Sequence, residues 1–369
     1  MNNRKNPLDL LNNEDLCASL VEEISRRLNR PIRIMEVCGS HTMAIFRHGL
    51  RALLPQGLTL VSGPGCPVCV TSPGQIDSFI EVARRPDVIL TTFGDLYRVP
   101  GSGGSLTQAA ARGAAVKIVY SPMEALRLAR KQTDKMVVFA GIGFETTTPT
   151  VAATIMAAAR EGINNFSVLS AHKLMPPALK TLFREDLTVD GLLCPGHVSA
   201  IIGTRPYETL AAEFHLPCVA AGFEAVDILQ ALLMLVRQSE KGQTVVENAY
   251  SRVVKPEGNP QALKIMNQVF RPEDCQWRGL GLIPASGLGI RPQYDKFNAT
   301  VRLDITIKDV DEPPGCLCGE VLKGLTSPSH CPLFARRCTP MNPVGPCMVS
   351  SEGTCAAFYK FQQGNYSAE

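Results

Sequence analysis

Apolar positions along this chain change their period twice. From about Asn13 to Arg30 they recur at helical spacing, with Leu16, Leu20, Ile24 and Leu28 behind Asn13 or Asp15 as caps. Short β-rich runs then alternate with helical segments. Strands are expected at Ile32–Val37, Leu58–Val61, Val88–Phe93 and Val116–Tyr120, and again at Met136–Ala140, Phe166–Ser170, Gly191–Leu193 and Cys218–Ala221. Such alternation predicts an α/β protein with parallel sheets covered by helices. Eight strands allow one barrel. A short echo, Gly143-Phe144-Glu145 and Gly222-Phe223-Glu224, each after a strand and before a helix, favours two doubly wound, Rossmann-like sheets of about four strands each. In such folds ligands sit beyond the carboxyl ends of the strands. After about Ser239 the alternation fails. Gly279 to Ile290 reads as irregular, Gly-rich backbone, and from Glu312 onward the chain is loop-like.

Composition narrows the class. Hydrophobic residues make up 45% and charged residues 19%, as in ordinary globular chains, and a net charge of +3 gives no reason to expect nucleic acid or an anionic membrane as partner. No apolar run reaches about 18 residues, and no signal-peptide core follows Met1-Asn2-Asn3-Arg4, so a cytoplasmic location is expected. Thirteen cysteines then call for an explanation other than structural disulfides. Cys17, Cys194, Cys218 and Cys275 are scattered singly and read as small buried hydrophobes. The others gather at three places.

Cys66 and Cys69 lie in Gly63-Pro64-Gly65-Cys66-Pro67-Val68-Cys69, after a strand, at the spacing of a reversible disulfide or a metal clip. Cys38 ends the preceding strand in Cys38-Gly39-Ser40-His41-Thr42, where a helix N-terminus favours a thiolate, and His41 either adds to that or bonds a carbonyl. Cys316, Cys318, Cys331, Cys338, Cys347 and Cys355 crowd the end of the chain without the paired spacing of a zinc ribbon. Wide spacing and the step Cys331-Pro332 suit a [4Fe–4S] cluster, with a four-cysteine zinc site as the competing reading. Glu145 is a carboxylate beside a run of hydroxyls that either meets a ligand or caps its own helix. His172 and His197 are second-tier candidates.

Taken in order, Cys38-Gly39-Ser40-His41-Thr42, the Cys66/Cys69 loop, Thr92-Phe93-Gly94-Asp95, Gly143-Phe144-Glu145-Thr146-Thr147, Pro195-Gly196-His197-Val198-Ser199, Trp277-Arg278-Gly279-Leu280-Gly281, Cys331-Pro332-Leu333-Phe334 and Ser350-Ser351-Glu352-Gly353-Thr354-Cys355 resemble the HypD family of [NiFe]-hydrogenase maturation proteins. The resemblance runs from about Pro31 to Tyr359. It implies a scaffold for the Fe(CN)2CO group, with Cys38 as iron ligand beside a cysteine of the small chaperone HypC, and cyanide delivered as thiocyanate by HypE. It also implies a dithiol/disulfide cycle at Cys66 and Cys69, and a [4Fe–4S] cluster on Cys318, Cys331, Cys338 and Cys355. Cys316 and Cys347 receive no role, and Ser40 stands where a second glycine is also common. The domains implied are an N-terminal helix (1–30) packing with the third domain, α/β domains at 31–135 and 136–238, and a loop-rich iron–sulfur domain at 239–369. A stand-alone iron–sulfur thiol–disulfide oxidoreductase and a zinc-stapled binding protein are the alternatives.

Overall fold

A computed structural model describes residues 13–185 and 187–361; the first twelve residues of the expected N-terminal segment, and residues 362–369 of the expected third domain, lie outside them. The strands are β1 (Ile32–Glu36), β2 (Leu58–Ser62), β3 (Val88–Thr92), β4 (Val116–Ile118), β5 (Met136–Gly143), β6 (Phe166–His172), β7 (Gly191–Cys194), β8 (Cys218–Ala220), β9 (Val246–Asn248), β10 (Phe270–Trp277) and β11 (Gly281–Ile290). Two wholly parallel sheets result, in the orders β2-β1-β7-β8-β9 and β4-β3-β5-β6, with helices in the crossovers. The chain is therefore mixed α/β with two parallel sheets.

The strands are not shared out as chain order suggested. β1 and β2 begin the first sheet, the chain leaves to build the whole of the second, and β7 returns to pair with β1. Asp190 secures that return: its N–H donates to Arg33 O at 2.7 Å and its carboxylate accepts Arg33 N–H at 2.8 Å. Period and propensity carry no information about such long-range pairing, so the division at residue 135 does not separate the sheets.

Two further expectations change. The helix Glu14–Arg27, capped by Asn13 Oδ1 accepting from Leu16 N at 3.1 Å, buries Ile24 in one apolar cluster with Leu229 and Leu232 of the helix Ala225–Lys241. It thus packs on the first sheet's covering layer, because its apolar stripe matches that helix. The Gly-rich stretch is strand β11, antiparallel to β10. A Cβ at Gly287 would sit 2.7 Å from Cys275 Cβ, so glycine there lets the hairpin close. Phe270, Leu288 and Ile290 of the hairpin bury against Phe139 and Phe166 of the second sheet.

Candidate functional site

The carboxyl ends of both sheets face one cavity of about 310 Å3 whose walls include Cys38, Pro67, Asp95, Thr146, His197 and Glu352. Cys38 is the N-cap of the helix Gly39–Arg47, just beyond β1. The turn after β2 is drawn onto it: Gly63 N–H donates to Glu36 O at 2.7 Å, and Gly39 N–H donates to Gly65 O at 3.1 Å. A Cβ on Gly65 would lie 2.3 Å from Cys38 N, so only glycine permits this approach. On the same turn Cys66 and Cys69 are joined as a disulfide, and Cys69 N–H donates to Cys66 Sγ at 3.1 Å.

Burial pushes the Cys38 thiol up to about 12, the Glu352 carboxylate adds to this, and the N–H groups of His41 and Ser40 oppose it. The helix N-terminus thus favours the thiolate as expected, but desolvation is the larger effect. His41 takes the structural option. Its Nε2 lies 2.9 Å from Gly222 O, its ring packs on Phe223, and burial lowers its pKa to about 4. Nδ1 of His41 is buried without a partner.

Glu145 is turned into the protein while its neighbours Thr146 and Thr147 line the cavity. Its Oε1 accepts Met175 N–H at 2.9 Å, its Oε2 has no partner, and burial raises its pKa to about 7. His197 lines the cavity and stacks on Phe223 at 4.0 Å. His172 is buried beside the Cys275 hairpin, its Nδ1 3.0 Å from Ser170 Oγ.

A loop from the far end of the chain closes this site. Ser350 Oγ stands 3.3 Å from Cys66 Sγ and 3.1 Å from Asp95 Oδ2. The same carboxylate oxygen accepts Ser351 N–H at 2.9 Å and Ser351 Oγ–H at 2.7 Å. Ser40 donates to Glu352 Oε1, and a Cβ on Gly39 would collide with Glu352. Asp95, Ser350 and Glu352 lie in the family-like motifs, which by themselves give these residues no role. Their signal is a carboxylate just past a strand end and a Ser-Ser-Glu turn beside a cysteine, and its meaning depends on a contact 255 residues apart.

The C-terminal cysteines converge more fully than expected. Cys316, Cys318, Cys331, Cys338, Cys347 and Cys355 line a single small pocket with Leu333, Phe334 and Met348. Cys318 Sγ lies 2.8 Å from Cys347 Sγ, and the thiols of Cys316 and Cys347 hold the Cys318 thiol well below its usual range. Cys316 and Cys347 are thus members of the group. Among the described residues, no three His, Cys, Asp or Glu side chains are placed to hold a single metal ion. Thiols around an apolar hollow are the donor chemistry that an iron–sulfur cluster takes. Ser350, three residues after Cys347 of this pocket, links it to the disulfide through its contact with Cys66.

Fold and site together define an α/β protein with sulfur gathered at a lone thiol, a disulfide and a thiol-lined hollow. Residues 15–362 match the family model HypD, described as the hydrogenase formation hypA family. The chain is 48% identical over 342 residues to the hydrogenase maturation factor HypD of Escherichia coli, covering 92% of each chain. It is 46% identical over 350 residues to HypD of Rhodobacter capsulatus (93% of each) and 48% over 340 residues to HypD of Azotobacter vinelandii (90% of each). The chain belongs to the HypD family of hydrogenase maturation factors.

Proposed function

We propose that this protein is the scaffold on which the Fe(CN)2CO group of a [NiFe]-hydrogenase is assembled, in complex with a HypC-type chaperone and a HypE-type cyanide donor. The observation that carries this reading is the packing of Gly65 on Cys38, which sets the turn that bears the Cys66–Cys69 disulfide against a lone buried thiol in the cavity wall. Cys38 binds the iron as cargo, jointly with the chaperone's cysteine. A soft thiolate suits iron carrying cyanide and CO, and because the Cys38 thiol is held protonated, metal binding releases a proton.

Release of cyanide from a thiocyanate needs two electrons. A dithiol at Cys66 and Cys69 supplies them: one thiocyanate and two thiols give one thiol, hydrogen cyanide and the Cys66–Cys69 disulfide. Both protons come from the pair, and cyanide passes to the iron as its proton leaves. Restoring the dithiol takes two electrons and two protons. Cys318, Cys331, Cys338 and Cys355 are the proposed ligands of a [4Fe–4S] cluster, with Cys316 and Cys347 in the same hollow. Bound there, such a cluster would supply single electrons for reduction of the Cys66–Cys69 disulfide. Ser350, between Cys66 and Asp95, is placed to stabilise the Cys66 thiolate. His41 and Glu145 lie behind the cavity wall and are assigned to holding its shape.

The test is oxygen-free purification with the chaperone co-expressed, followed by infrared spectroscopy and metal and sulfide analysis. Cyanide and CO bands that vanish in Cys38→Ala, while iron and sulfide persist, are the expected result. Iron and sulfide without such bands in the parent would leave the plain disulfide oxidoreductase. Zinc without iron would overturn both.

A further inference from the structure

A second cleft, of about 310 Å3, lies along β1 and β2 and is closed by residues 321–330 and the helix Thr354–Phe361. It exposes two guanidinium groups, Arg33 and Arg51, together with His330 and the hydroxyls of Ser62, Thr326 and Ser327, and no acidic residue is in its wall. Among the described residues neither arginine forms an ion pair. Arg33 Nη2 donates only to Gly324 O at 3.0 Å, and Arg51 Nη1 only to Leu60 O at 2.8 Å. Arg51 Nε is a buried donor without an acceptor, while Ser62 Oγ stands by the Glu36 carboxylate, which also attracts Arg51 without forming an ion pair with it. The Arg51 guanidinium is held in place against the rings of Phe46, at 5.1 Å, and Phe358, at 5.5 Å. The nearest carboxylate, Glu36, is taken by Thr42 Oγ1 at 2.6 Å, and burial raises its pKa to about 7.

A pre-oriented guanidinium with spare N–H groups, a second cation across a narrow cleft and a rim of hydroxyls form a donor set without acceptors. Leaving a buried donor unpaired forfeits its hydrogen bond to water, and a bound acceptor restores one. We infer that this cleft is a binding site for a small tetrahedral oxyanion of the phosphate type, gripped by Arg33 and Arg51. Planar monocarboxylates supply too few oxygens and half the charge to satisfy both arginines. Such an anion would tie the edge strand β2 to the segments that carry Cys331 and Cys355, since His330 and Thr354, which line the cleft, each precede one of these cysteines. The inference is independent of the function proposed above.

The experiment is titration of the oxygen-free, full-length protein with inorganic phosphate in phosphate-free buffer, by calorimetry and by melting temperature. The expected result is binding of one phosphate with a rise in melting temperature, and acetate at least tenfold weaker. Arg33→Gln, at a half-exposed position, should weaken phosphate at least tenfold while circular dichroism shows an intact fold; Arg51→Gln should do the same if it folds. A folded parent that shows neither heat nor a melting shift at tens of millimolar phosphate would overturn the inference. So would acetate binding equally well, or unchanged affinity in Arg33→Gln.

Discussion

Cys38 and Glu145 show how one force, desolvation, sets two groups on different courses. At Cys38 it holds the thiol protonated up to about 12. At pH 8 such a thiol has on the order of a thousandfold less thiolate than a free cysteine, whose pKa is about 8.5. Cys38 in the metal-free protein should therefore alkylate roughly a thousandfold slower than a model thiol, as read by mass spectrometry. Glu352→Gln, which removes a charge that opposes the thiolate, should speed it. At Glu145 the folded pKa of about 7 lies above the ordinary 4.5. The folded state therefore binds that proton more tightly, and this stabilisation is full below about pH 4.5 and lost as pH rises through 7. Glu145→Gln should raise the melting temperature by a few degrees at pH 8 and leave it unchanged near pH 4.5. A residual slope of the same sign remains from Glu36, also raised to about 7. The sequence showed that these residues stand at strand ends. It did not show that His41 bonds Gly222 or that Glu145 faces inward, because both depend on neighbours from other parts of the chain.

Individual elements were largely legible, since each rests on a local pattern. The helix Pro73–Ala83 starts with a Ser72/Gln75 capping box, and β1 falls within one residue of its expected end. What escaped was set by distant partners: β11, whose glycines look irregular until Cys275 is packed on Gly287, and the return of β7 to β1. The turn after β2 lies between these cases. Its glycines and prolines announce rigidity, but only the 2.3 Å approach to Cys38 N explains Gly65. A methyl group there has to displace backbone, at a cost of about 1–3 kcal/mol. Gly65→Ala should lower the melting temperature by several degrees. It should also abolish any cyanide and CO bands, with the cysteine-pocket iron content retained.

At the scale of the molecule, three separated stretches meet at the disulfide: the Cys66 turn from the first sheet, Asp95 at the end of β3 in the second, and Ser350 from the C-terminal segment. The motifs were visible one by one, while their convergence belongs to the interleaved sheets. Attack of a dithiol on Cys69 expels Cys66 as a thiolate, and that leaving group then meets Cys69 N–H and the Ser350 hydroxyl. A hydrogen bond to a charged group contributes about 1.5–3 kcal/mol, and leaving groups with lower pKa depart faster. Ser350→Ala should therefore slow reduction of the disulfide by a small dithiol about tenfold or more, with Ser350→Thr restoring most of the rate. Asp95 accepts from Ser350 and competes for the same proton, so Asp95→Asn should change the rate of reduction and leave Cys38 alkylation unaffected. If Ser350→Ala instead reduces at the parent rate while only its melting temperature falls, the hydroxyl serves to fasten the loop, and the thiolate at Cys66 relies on Cys69 N–H alone.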